Sequence, residues 1–108
     1  MTEIETTPKK AGRKPDPMTR ILNDLKAAIK GLGEYESKSY GEARRHVHDG
    51  RAFAWAREYE RTGTFDALLL AHTFGALCES DDRQRQRDVL LDVAAVAIAK
   101  IEKLDGGQ

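Results

Sequence analysis

Thr64-Phe65-Asp66-Ala67-Leu68-Leu69-Leu70-Ala71-His72-Thr73-Phe74-Gly75-Ala76-Leu77 and, beyond a short acidic turn, Arg87-Asp88-Val89-Leu90-Leu91-Asp92-Val93-Ala94-Ala95-Val96-Ala97-Ile98-Ala99 decide the fold. In the first run Ala67, Leu70, Ala71, Phe74, Leu77 and Cys78 recur at helical spacing, and Phe65, Leu68 and Leu69 add a second apolar stripe. This helix is expected to be buried on more than one side. The second helix is expected from about Asp82 to Leu104. Leu90, Val93, Ala94, Ala97, Ile101 and Leu104 line one face of it, and Val89, Val96 and Ile98 widen that face. Its alanines let a neighbouring helix approach closely. The turn Glu79-Ser80-Asp81-Asp82 is too short for anything but an antiparallel hairpin. The fold class is therefore all-α, with four to five helices and this hairpin at the centre.

Composition sets the bounds around that core. A chain of 108 residues makes one domain with a modest core. Eighteen Lys/Arg balance eighteen Asp/Glu, so the net charge does not mark a nucleic-acid or membrane protein. The single cysteine, Cys78, excludes an internal disulfide and fits a reducing compartment, and its place on an apolar face makes it a packing residue. No apolar run approaches the roughly twenty residues that span a bilayer, and the polar N-terminus does not read as a secretory signal. A cytoplasmic protein with no membrane contact is the expectation.

Toward the N-terminus, Asp16-Pro17 is a helix start, with Asp16 as N-cap and Pro17 at the first helical position. Met18, Ile21, Leu22, Leu25, Ala28, Ile29 and Leu32 then hold the helical period until Gly31 and Gly33 end it. The narrow stripe is expected to lie on the hairpin or on another subunit. Residues 1–15 lack any apolar period and read as a disordered basic tail, leaving 16–105 as a single helical domain and 106–108 as a flexible end. Lys9, Lys10, Arg13 and Lys14 cluster around Gly12. The run is similar to an AT-hook, except that Lys14 interrupts the Gly-Arg-Pro centre, and it is a weak candidate for phosphate or minor-groove contact.

Between Glu34 and the hairpin, Ser39-Tyr40-Gly41-Glu42 fits a capping box. Ala43, Val47 and Ala54 are spaced for one buried face, and Gly50 is expected to break or kink the helix. The second piece places Ala52, Trp55, Ala56 and Tyr59 together, Thr62-Gly63 stops it, and Thr64 is expected to cap the hairpin's first helix. Arg44, Arg45 and Arg51 are candidate phosphate contacts, since Arg binds phosphate in a bidentate way. Glu42, Asp49, Glu58 and Glu60 offer the competing account, a salt-bridged solvated face. Trp55, Tyr59, Phe65 and Leu68 are candidates for an oligomer interface.

The run Thr64–Leu77 resembles the metal-binding helix of MazG-like nucleoside triphosphate pyrophosphohydrolases, in which an apolar run leads into Glu-Glu-x-x-Glu. Arg87–Ala99 is similar to the next helix of that family, where Glu-x-x-Asp precedes an Ala/Val-rich segment. The resemblance implies a helical bundle completed by oligomerisation, and Mg²⁺-dependent hydrolysis where the acids are present. Laid onto that motif, the acidic positions fall on Ala71, His72, Gly75, Val89 and Asp92, and Asp92 alone keeps a carboxylate. Mg²⁺ requires several oxygen ligands around one point. The implied hydrolytic site is thus degenerate: no catalytic residue is assigned, no cofactor is expected, and His72 and Asp92 stay weak metal candidates. His46 and His48, two residues apart, do not form a metal pair on a helix.

Three functions remain in contention. The first is a non-catalytic helical binding or assembly protein on a MazG-like scaffold, a homo-oligomer (dimer or tetramer) open to a protein partner and to residual nucleotide affinity. The second is a working pyrophosphohydrolase with an altered site built from His72, Asp92 and acids such as Glu79, which would need Mg²⁺. The third is a small DNA-binding or regulatory protein using the basic tail and the Arg-rich segment.

Overall fold

The computed structural model describes residues 16–79 and 81–107. Among them the protein is all-α, with four helices: α1 (Pro17–Leu32), α2 (Glu42–Thr62), α3 (Phe65–Leu77) and α4 (Arg83–Asp105). None is long and apolar enough to cross a membrane. The chain divides into two compact units, Met1–Glu34 and Tyr35–Gln108.

The first unit contains α1. The Asp16 carboxylate accepts the amides of Met18 and Thr19 at 3.1 and 3.4 Å, with Pro17 occupying the first turn, as the sequence implies. Gly33 ends the helix at φ +64, a left-handed value that glycine adopts without steric cost, whereas Gly31 stays within the last turn. Ile21 is buried, while Leu22, Leu25, Ile29 and Leu32 on the same stripe are exposed.

The second unit is built on α3. Both α2 and α4 pack against it, which is what its apolar residues all round the circumference require. From Leu68 to Leu77 every residue of α3 is half-buried, and Ala67 is fully buried. The helices run antiparallel in turn. The start of α2 meets the end of α3 where Tyr40 just before it donates its hydroxyl to the Leu77 carbonyl. The start of α3 meets the end of α4 where Lys100 lies over the Phe65 ring at 5.0 Å. The α3–α4 turn is fastened at both sides: Asp82 accepts the Arg85 amide at 3.1 Å, and Glu79 pairs with the Arg85 guanidinium at 3.1 Å.

Three local expectations are corrected. Gly50 does not break α2, which is one helix of 21 residues. A helical glycine costs only about 1 kcal/mol relative to alanine, and the docking of α2 on α3 outweighs that. Ser39 is not a cap, since the N-cap is Gly41 and no side chain bonds to the first turn. Thr64 stands at the N-cap of α3 as expected, but its hydroxyl lies 3.2 Å from that of Thr62 and does not cap.

The face of α2 that docks also differs from the expected one. Ala43, Val47 and Ala54 are exposed, and Arg45, His48, Ala52, Trp55 and Glu58 are the half-buried positions. The reason is aromatic: His48 stacks on Phe74 of α3 and meets Tyr40 edge-on, so a polar residue holds a place that hydropathy alone assigns to the surface. On α4 the broad apolar face is half-buried at Val89, Val93, Ala94, Val96, Ala97 and Ile98, with Lys100 beside them, whereas Leu90, Leu91, Ile101 and Leu104 are exposed.

Candidate functional site

The two ends of α3 carry different chemistry. At its C-terminal end, Tyr40, Arg45, His48, Arg51 and Phe74 form one cluster. The His48 ring lies 5.8 Å from Phe74, with planes 27° apart, and 5.5 Å from Tyr40 at 89°. The Arg45 guanidinium sits over Tyr40 at 5.9 Å and that of Arg51 over Phe74 at 5.8 Å, both within cation–π range. Arg45 also pairs with Glu42 at 3.2 Å. Two buried polar atoms in the cluster, Arg45 Nε and His48 Nδ1, have no hydrogen-bond partner. The cluster therefore ties α2 to α3 by stacking rather than by a closed polar network. Sequence reasoning passed over it. The signal was the 45–48–52–55 spacing, which is that of a helix seam and contains two polar residues.

Beside this cluster, Cys78 ends α3 and donates its thiol to the Gly75 carbonyl at 3.2 Å. Burial pushes its pKa up, and the nearby Asp49 carboxylate adds to the shift. A thiol so placed stays protonated at neutral pH and is a poor nucleophile. This agrees with a packing role.

Over the N-terminal half of α3 runs an open groove. On the α2 side, Ala52, Phe53, Ala56 and Tyr59 face Leu68, Ala71 and His72, with Asp49 and Glu60 at the edge. A second recess, toward α4, shares Tyr59 and Leu68 with it and is lined also by Phe65, Ala95, Val96, Ala99, Lys100 and Lys103. The four residues expected at an interface thus separate in part. Tyr59, Phe65 and Leu68 line this second recess, while Trp55 lies in the α2 stripe that docks on α3. A lining of alanines, leucine and aromatic rings suits an apolar side chain or a helix.

His72 faces the groove wall formed by α2, and Asp92 is exposed on α4. Among the described residues the two share no hydrogen bond or ion pair, and no group of three or more His, Cys, Asp or Glu is placed to hold a metal. At the positions where the MazG-like pattern sets acids, Ala71, His72, Gly75, Val89 and Asp92 offer a methyl, an imidazole, a hydrogen, an isopropyl group and one carboxylate. That donor set does not fit Mg²⁺, which takes oxygens in near-octahedral array.

The arginines of α2 are committed to neighbours. Arg45 and Arg51 lie on aromatic rings as above, Arg57 covers Phe53 at 5.7 Å, and Arg61 grips Glu58 at 2.7 Å. Arg44 is exposed. These contacts belong to the salt-bridged face that the sequence offers as the competing account, and they involve Arg45, Arg51, Arg57 and Arg61 but not Arg44. Lys9, Lys10, Arg13 and Lys14 lie outside the described residues. No protein-family model, characterised protein or solved structure matches this chain.

Proposed function

We propose that the protein is a non-catalytic helical binding and assembly protein, built on a MazG-like helical hairpin that has lost its hydrolytic acids. The observation carrying this reading is the groove over α3. Its lining is mainly apolar and aromatic, and it includes Ala71 and His72, two of the positions where a pyrophosphohydrolase of that pattern carries acids. A surface of that kind recognises apolar side chains presented by another helix. The core beneath it is thin, with Ala67 the one fully buried residue of this unit among those described, and that favours completion by a further copy.

The experiment is pyrophosphate release from a panel of nucleoside triphosphates with Mg²⁺ or Mn²⁺, run beside sedimentation equilibrium. The expected result is no release above background for the wild type and for Asp92→Ala, together with a mass above that of the monomer. Release that disappears in Asp92→Ala would establish an enzyme and end this reading.

A further inference from the structure

The outer stripe of α4 has a spacing of its own. Leu90, Ala94, Ala97, Ile101 and Leu104 follow one another at intervals of four, three, four and three residues, the period of a coiled-coil seam. At about 100° per residue this stripe is centred roughly a quarter turn from the Val89–Val93–Val96–Lys100 stripe that meets α3, so the apolar surface of α4 extends beyond the α3 contact. Leu90, Ile101 and Leu104 are 58%, 42% and 59% exposed, and the two alanines between them are half-buried. Three large aliphatic side chains in register on a surface are costly to leave in water.

We propose that this stripe is the docking surface for α4 of a second copy of the chain, paired antiparallel about a two-fold axis near residues 95 and 96. The proposal rests on the assembly reading above and names the surface that does the assembling. Its support is self-complementarity. When Leu90 is set level with Ile101 of the second copy, Ala94 falls level with Ala97 of that copy, and both pairs repeat across the axis. Leucine then meets isoleucine on either side of two alanine layers, which let the helix axes close to about 8 Å, and Leu104 falls level with the aliphatic stem of Arg87 of the second copy. Parallel pairing sets alanine against alanine too, but it brings Arg83 and Arg87, which continue the stripe at the same spacing, against their own copies. Antiparallel pairing instead brings Arg87, at the start of one helix, beside Asp105, at the end of the other. Neither residue has an ion-pair partner among the described residues, and on the flank between them Leu91 comes beside Ile98 of the second copy. A two-fold axis makes each of these contacts twice, as an isologous interface requires.

The test is sedimentation equilibrium of the full chain, with circular dichroism to follow helix content, for wild type, Leu90→Glu, Ile101→Lys and the double variant L90E/I101K. The expected result is a wild-type dimer and at least a roughly 100-fold weaker association for each single variant, which buries an unpaired charge. The double variant is expected to recover to within about tenfold, because the introduced carboxylate of one copy then opposes the introduced ammonium of the other across the axis. If the single variants lose helix content, the double variant decides alone. A wild-type assembly unchanged by Leu90→Glu, or a double variant that fails to reassociate, overturns the α4 seam and leaves the assembly reading standing on another surface. A wild type that is monomeric throughout overturns both.

Discussion

His48 of α2 and Phe74 of α3 stack with their centroids 5.8 Å apart, and this pair joins the two helices although one of its members is polar and leaves Nδ1 without a hydrogen bond. A buried, unsatisfied polar atom costs about 1–3 kcal/mol, while the stack itself contributes of order 1 kcal/mol beyond its buried area. His48→Phe keeps the ring and removes the orphaned atom, so urea denaturation is expected to show a gain of about 1 kcal/mol. His48→Ala removes both and is expected to lose about 2 kcal/mol. A loss in both variants would mean that Nδ1 has a partner, and the stacking account of this contact would be wrong.

Tyr40 reaches the last turn of α3 and donates its hydroxyl to the Leu77 carbonyl, one of the carbonyls that a helix end leaves without an internal partner. Tyr40→Phe keeps the edge-on contact with His48 and loses this bond. An expected destabilisation of about 1 kcal/mol, read from the same urea curves, tests it.

Gly50 and Gly63 are expected to respond in opposite directions. Gly50 sits inside α2 with open space where a Cβ would project, so Gly50→Ala is expected to raise stability by about 0.5–1 kcal/mol. Gly63 ends α2 at φ +68, and Gly63→Ala is expected to cost about 1–2 kcal/mol for the left-handed conformation. Thermal melts of the two variants separate the signs.

The Cys78 pKa is raised in the folded chain, by burial first and by Asp49 second. The folded state thus holds its proton more tightly than the unfolded chain. The stabilising contribution is complete below the ordinary thiol value of about 8.5 and is lost as pH rises past it. Alkylation of the native protein at neutral pH is expected to be slower than that of a free thiol, and Asp49→Asn is expected to speed it. An alkylation rate unaffected by this substitution would remove Asp49 from the account.

The hairpin was legible because its signal is redundant: Leu68, Leu69 and Leu70 in succession, within a helical period, force burial on several sides whatever the neighbours are. Asp16 and Asp82 were legible as helix starts for a local reason, a carboxylate placed two or three residues before free amides. The docking face of α2 was legible only in its second half, where Ala52 and Trp55 were read together. Its first half is Arg45 and His48, whose apolar surface is presented by a guanidinium plane and a flat ring that a hydropathy pattern scores as polar. For the same reason Gly50 read as a break, since the stabilisation that carries the helix through it comes from α3 and not from the local sequence. The α4 face was recognised as broad, and Val89, Val93, Ala94, Val96, Ala97 and Ile98 are half-buried on it, but the exposure of Leu90 and Ile101 at its edge shows only in the packing. For the site, the shortage of acids at positions 71, 72, 75 and 89 was plain from the residues themselves, whereas Asp49 and Glu60 entered the groove only through the packing of α2.

The central place of α3 also bears on how the chain is made. A segment this apolar, released into water alone, is the part of the molecule most prone to stick to other chains. Synthesis delivers α2 before it and α4 after it, so one flank finds its cover at once through the short Gly63-Thr64 link. The other flank stays bare until some two dozen more residues have left the ribosome, and during that interval the nascent protein is most dependent on chaperones.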